Sequence, residues 1–455
     1  MTDMLAATAI KPTNERTQRI RASLRRRHTG EAIFRGLGLA AIILALGFVV
    51  LLFTDIIRKG APAFIQSNVH LSINFDPAII TTGPAPVRAA GQSDAEFNGA
   101  NVKWQRDLAL LNWNKVIEAS LRAAAPAGYD ISGKDILSIA ETDARHQVRE
   151  AFAANPALLG QTTKIDVLAS ANTNNWIKGN IDRSLPDAQQ QLSPQARGLI
   201  DQLVASGGIS SGFAWTILTN VDSRAAPAAS GLLGAFFGTL YMMIIVILLA
   251  VPIGVASAIY LEEFAPKSRL TDFIEVNINN LAAVPSIVFG LLGAAVFINY
   301  LGLPISAPLV GGLVLTLMTL PTIIIATRGA LLAVSPALRQ AALGMGASKT
   351  QMVFHHVLPV TLPSILTATI IGVAHAMGET APLLLIGMKA FVAAVPASPL
   401  DQATALPVQI YLWQGNENRN FFEGHTSAAI MVLLAFMILL NGTAVLLRSR
   451  LEKRA

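Results

Sequence analysis

Six runs of about twenty or more apolar residues set the pattern of this chain, at roughly 33–56, 232–260, 280–302, 308–327, 362–387 and 427–447. An apolar helix of about 20 residues crosses the ~30 Å hydrocarbon core of a bilayer, so the pattern predicts an all-α polytopic membrane protein with six transmembrane helices. Prolines recur inside the runs (Pro252, Pro285, Pro321, Pro382). Membrane helices tolerate them where neighbours re-satisfy the freed backbone groups. Between the first two runs lies a polar stretch of about 175 residues, Ile57 to Ser230, long enough for a core of its own. Within it, 102–124 and 186–205 read as amphipathic helices, with Leu108, Leu111, Val116, Ile117 and Leu121 near helical spacing. The stretch Leu71-Ser72-Ile73-Asn74-Phe75 alternates like a short strand. Trp104, Trp113, Trp176 and Trp215 are expected as core or interfacial anchors.

The predicted organisation is a basic N-terminus at 1–32, a first span at 33–56, an inserted α or α+β domain at 57–230, five spans within 231–447, and a basic tail at 448–455. Of the 455 residues, 53% are hydrophobic and 14% charged, with mean hydropathy +0.51, which excludes disorder and argues against a soluble enzyme. Cysteine is absent, so the chain has no disulfide framework, thiolate metal site or cysteine nucleophile. The basic balance does not imply nucleic acid, because its excess sits at the ends. Arg16, Arg19, Arg21, Arg25, Arg26 and Arg27 precede the first run, and Arg448, Arg450, Lys453 and Arg454 follow the last. Such flanking clusters mark cytoplasmic sides. Both termini are therefore expected in the cytoplasm, with 57–230 outside. The acidic segment 261–278 carries little weight in orientation. The first run is longer than a signal-peptide core and is expected to remain as a span. The polar domain shows no metal spacing, phosphate loop or hydrolase motif, so neither catalytic nor metal-binding residues are expected.

A patterned loop separates the fourth and fifth runs. Ser335-Pro336 suits a helix start, 337–343 favour helix, and Gly344 and Gly346 loosen the backbone. A second short helix is expected at 348–357, ended by Pro359, with Pro363 starting the next span. Gly346-Ala347-Ser348-Lys349-Thr350 imitates a nucleotide-binding loop but lacks its glycines, since Ser348 and Leu343 stand where glycines are required. The chain therefore carries no ATP-binding motif. His355 and His356 lack metal-spaced companions and read as interface residues. The series Gln340-Ala341-Ala342, Gly346, then Leu358-Pro359 resembles the "EAA" loop of ABC-importer permeases, with Gln340 replacing the Glu and His356 the Ile. That resemblance implies a helix–turn–helix seated in a groove of an ATPase subunit.

The fifth run carries His375 and Glu379, four positions apart and so expected on one helical face. A carboxylate at membrane depth costs roughly 2.5–3.5 kcal/mol and usually faces a bundle interior or watery path. Two readings stand open: a pair that cements helix packing, or a polar lining of a substrate path. Gly378-Glu379-Thr380-Ala381-Pro382-Leu383-Leu384 and Val284-Pro285-Ser286-Ile287-Val288-Phe289-Gly290 resemble signatures of phosphate ABC-importer permeases. With the loop, the resemblance covers about 230–450. It implies a type I, MetI-like permease core in a bacterial inner membrane. It also implies a second permease subunit, two ATP-binding subunits that hold ATP and Mg, and a periplasmic phosphate-binding protein, with no cofactor on this chain. Glu379, His375 and Thr380 are the expected path residues. Arg328 is either a cationic member of that path or a cytoplasmic anchor. Relatives often carry Arg at the position of His375, so the cationic character of the path is open. Rival expectations are a permease for molybdate, sulfate or phosphonate, and a membrane sensor or scaffold that works through its outer domain.

Overall fold

The computed structural model describes residues 14–89, 91–389, 391–392 and 394–452. Lys453 and Arg454 of the basic tail and the first thirteen residues lie outside this range, as do the side chains of Arg16, Arg19, Arg21, Arg25 and Arg26. The chain divides into two units, 1–58 and 59–455. The described part of the first unit lies in one helix, α1 (Asn14–Gly60), uninterrupted because no proline falls between Asn14 and Gly60. Its apolar section is hydrophobic all round, with side chains such as Phe34 and Leu51 exposed on every side, as suits a helix solvated by lipid.

The second unit begins with a polar α+β region. Strand β1 (Ile65–Asn74) is central, flanked antiparallel by β2 (Thr162–Leu168) and β3 (Ile209–Phe213), in the order β2-β1-β3. Val69 pairs with both Val167 and Ile209. The period of two puts Val69, Leu71, Ile73 and Phe75 on one buried face. Helices α2 (Asp94–Leu110), α3 (Trp113–Ala124), α4 (Ala144–Ala154), α5 (Ala171–Lys178) and α6 (Pro194–Ser206) contribute side chains to the same core. The expected single helix over 102–124 is two: Leu111 turns extended, and Trp113 folds back to donate from Nε1 to the Leu108 carbonyl at 2.8 Å. Trp104, Trp113 and Trp176 are buried, whereas Trp215 lies 66% exposed.

A buried clamp joins this region to the membrane helices. The segment Pro227–Ala229 stands just before α7 (Leu233–Ile259), and Ala228 within it is held from two sides. Its N–H donates to Glu141 Oε2 at 2.8 Å, while its carbonyl accepts from Gln66 Nε2. Burial pushes the Glu141 carboxyl above its ordinary value, against the backbone N–H groups of Thr142 and Ala228 that favour its ionised form.

Beyond α7 come α8 (Arg269–Ala282), α9 (Ser286–Gly293) and α10 (Pro308–Leu332). They are followed by α11 (Pro336–Gly344), α12 (Leu358–Gly378), α13 (Ala381–Leu385), α14 (Leu406–Gln414) and α15 (Arg419–Glu452). Helices α7 and α10 pack closely through small residues. Gly311 sits against Met242, Gly312 against Ile245 and Gly254 against Ile323, the close approach that membrane helices use in place of a hydrophobic driving force.

Five unbroken helices among the described residues are long and apolar enough to cross a membrane: Arg27–Phe64, Leu233–Phe264, Pro308–Leu332, Lys349–Gly378 and Arg419–Arg450. A sixth crossing exists only if the pair Arg269–Ala282 and Ser286–Tyr300, bent by 101°, counts as one span. The run 280–302 is therefore not the straight helix the sequence predicts. Pro285 disfavours helical geometry at Val284, so α8 stops at Ala282 and the chain restarts in a new direction.

Candidate coupling loop and substrate path

The turn between α10 and α12 is built by two capping motifs set back to back. Pro336 occupies the first turn of α11, and the Ser335 hydroxyl accepts from the Ala337 N–H. At the other end Gly346 takes φ +91°, with Gly346 N–H donating to the Leu343 carbonyl at 3.0 Å and Ala347 N–H to the Ala342 carbonyl at 3.1 Å. This is a Schellman ending, and it explains why a glycine is needed at this spacing. The Ser348 hydroxyl then caps the next helix and Gln351 returns the bond to the Ser348 N–H, a complete capping box.

The second helix does not end at Pro359. From Lys349 it runs through a wide π-helical turn, Met352–Val357, and continues to Gly378. A proline in a regular helix collides with the carbonyl four residues back. Here the widened turn directly before Leu358-Pro359 gives the ring room, so helix and span are one piece.

Gln340, Ala341 and Gly346 face outward, together with the apolar Leu343, Met345 and Phe354. Leu358 and Pro359 are half-buried. Ala342, the other alanine of the quoted loop series, is 2% exposed and packs inward among Ile259, Leu331, Val334, Met352, Val353 and Val357.

His375 and Glu379 do meet, Nε2 to Oε1 at 3.2 Å. They do so at a helix end rather than along a helical face. Helix α12 stops at Gly378, Glu379 is extended at φ −74°, ψ 130°, and α13 begins after Thr380. Pro382 cannot donate back to Gly378, which removes one bond at the point where the helix parts. The His375 side chain is 71% exposed and that of Glu379 only 17%. The carboxylate is thus tucked into the break and the imidazole looks out. Thr380 is partly exposed beside them. The two quoted signatures come together here: a Cβ on Gly290 of α9 would stand 2.7 Å from Pro382 Cα and 2.8 Å from its carbonyl oxygen. Only a glycine permits that approach.

Arg328 lies apart from the pair of His375 and Glu379. Its Nη2 donates to Glu275 at 2.7 Å and to Glu262 at 3.4 Å, so two carboxylates already balance its charge. Gly372 packs against Thr319 and Ile323, which sets the relative level of α10 and α12. From that level, Arg328 lies five to nine residues toward the loop and His375 three residues away from it, an axial separation of about 12–18 Å at 1.5 Å per residue.

A neighbouring ion pair was not foreseen. Arg339 of α11 reaches Glu263 through Nε at 3.1 Å and Nη2 at 2.8 Å. The signal was present in the acidic excess of 261–278.

Residues 250–454 match the family described as binding-protein-dependent transport system inner membrane component, and residues 21–187 match a domain of unknown function, DUF3333. The probable ABC transporter permease protein YqgI of Bacillus subtilis is 34% identical over 36% of this chain and 55% of its own length. YqgH of the same organism, also a probable ABC transporter permease protein, is 30% identical over 46% of this chain and 70% of its length. The phosphate transport system permease protein PstA of Mycobacterium leprae is 31% identical over 48% of this chain and 70% of its length. The chain thus spans little more than half of the first of these relatives and about two thirds of the others.

Proposed function

Because the chain belongs to the family of binding-protein-dependent ABC transporter permeases and resembles PstA within it, we propose that it is the membrane permease subunit of an ATP-driven inorganic phosphate importer. It is a multi-pass inner-membrane protein. In the proposed assembly it forms half of the translocation path. A second permease supplies the other half, two ATP-binding subunits dock on the cytoplasmic loops, and an extracytoplasmic binding protein delivers phosphate. Both termini face the cytoplasm, and the α+β region faces outward. ATP chemistry takes place on the partners.

The observation that carries the reading is the helix break at Gly378–Ala381, where His375 and Glu379 meet and Pro382 rests on Gly290. Hydrogenphosphate carries a P–OH group that can donate to the Glu379 carboxylate. Sulfate, fully ionised, offers that carboxylate only repulsion. His375, exposed beside it, supplies a donor to a phosphate oxygen. Arg328 stays outside the path because its carboxylate partners hold it. The outward patch of Gln340, Ala341, Leu343 and Met345 is the surface offered to the ATPase. With Gln340 in place of an acid, that contact rests on shape.

The test is uptake of radiolabelled phosphate in membranes that carry the full complex. Glu379→Gln loses a charged acceptor, worth about 1.5–3 kcal/mol, and should lower uptake roughly ten- to a hundredfold. Unlabelled sulfate or molybdate should not compete. Unchanged transport in both Glu379→Gln and His375→Arg removes the assigned path. Mass spectrometry of the solubilised complex identifies the partners, and a preparation without ATPase subunits overturns the assembly.

A further inference from the structure

Glu262 and Glu263 are neighbours in sequence but serve different partners. They lie in the π-helical turn Tyr260–Phe264 that ends the second span. Such wide turns often occur at functional points of helices. Glu263 faces the coupling helix α11, and its side chain is 6% exposed. It accepts two bonds from Arg339. The same guanidinium donates to the carbonyls of Leu331 at 2.8 Å and Val334 at 2.7 Å, at and just past the end of α10. One side chain therefore ties three elements: α11, the end of α10 and the end of the second span. Glu262 faces the other way, toward Arg328, which also grips Glu275 on α8. Helix α8 is joined through the 101° bend to α9, whose Gly290 bears on Pro382 beside Glu379.

A largely buried ion pair is a weak source of stability, because desolvation offsets much of its attraction. It is a strong way to fix one geometry. Arginine suits this use, since its planar fork can hold several acceptors at set angles where lysine presents a single point charge. We propose that Arg339 and Glu263 are positioning residues. They carry the displacement of the coupling helix into the end of the second span and, through Glu262, Arg328 and Glu275, into α8 and the bent pair that leads to the helix break. The inference rests on the transport reading above, and it assigns the cytoplasmic acidic segment to coupling rather than to orientation.

The experiment uses the whole complex with its ATPase subunits in proteoliposomes and inorganic phosphate as the probe. Three quantities are read: ATPase subunit retained, ATP hydrolysed, and phosphate moved per ATP. Glu263→Gln keeps an acceptor but loses the charge, and Arg339→Lys keeps the charge but loses the fork. Both should retain the ATPase subunits and still hydrolyse ATP, while phosphate moved per ATP falls about tenfold, within the usual range of coupling between distant sites. The double variant should be no worse than either single one, since both break the same link. Glu275→Gln, at the half-exposed far end of the chain of charges, should lower the same ratio without touching α11. A wild-type ratio in Glu263→Gln and Arg339→Lys overturns the proposal. So does loss of the ATPase subunits from those variants, which would make the pair part of the docking surface itself. A wild-type complex that moves no phosphate instead overturns the parent reading, which is a separate outcome.

Discussion

Replacing Gly290 by alanine places a methyl carbon 2.7 Å from Pro382 Cα and 2.8 Å from the Pro382 carbonyl oxygen. Carbon atoms rest at about 3.5–4.0 Å, so α9 and α13 must separate by about 1 Å. Neither obstacle is the free end of a side chain: both belong to a backbone that proline makes stiff. Leu385 Cδ1 at 3.1 Å crowds the same methyl. Overpacking of this kind costs typically 1–3 kcal/mol. A shift of this size falls directly on the residues that hold Glu379 against His375. Gly290→Ala should therefore lower phosphate uptake about tenfold or more, since displacements near 1 Å can cost up to a hundredfold where groups must be placed exactly enough to act together. It should also lower the melting temperature of the solubilised complex by a few degrees, and leave the amount of bound ATPase unchanged, because the loop is remote. Wild-type uptake together with a wild-type melting temperature would refute the claim that this contact sets the path.

Three further outcomes are expected. Gly346→Ala forces a side chain into φ +91°, at a cost of about 1–2 kcal/mol; less ATPase should co-purify, as quantified by gel densitometry. Burial lowers the Lys178 amine from 10.5 to about 8, so its penalty is present below pH 8 and is relieved as pH rises toward 10.5. Lys178→Met should raise stability at pH 7 by roughly 1–2 kcal/mol, after discounting the ~3 kcal/mol of the full shift for solvent screening, and should flatten the melting profile between pH 8 and 10. For Glu141 the folded value is raised by burial, so its contribution is full below the ordinary carboxylate value and is lost as pH rises through the raised one. Compared with Glu141→Gln, the wild-type protein should lose relative stability across that window, read by thermal scans from pH 4 to 7.

The loop was legible because its signals are local. Ser335-Pro336 and Gly346 each mark a helix end within a few residues, and the structure uses both, whereas the equally local capping box of Ser348 with Gln351 was not read. Pro359 misled because a proline reads as a stop, whereas the π-helical turn before it absorbs the ring. The four-residue spacing of His375 and Glu379 correctly brought them together but concealed the break between them, which Pro382 and the contact with Gly290 produce jointly. Arg328 could not be placed from sequence at all. Its partners stand 53 and 66 residues away, and nothing local distinguishes a held arginine from a free one. In the α+β region, alternation revealed the strand containing Leu71 and Ile73, while the split at Leu111 depends on how Trp113 fits the core.

The grip of Gln66 and Glu141 on Ala228 has a practical consequence. Only a few residues separate that clamp from the start of the second span, so the α+β region cannot swing as a pendulum on a slack hinge. It rides on the span like a pointer on its axle. A dye on an engineered cysteine in the α+β region would therefore report any movement of that span. The cysteine-free chain accepts such a label at a single chosen position.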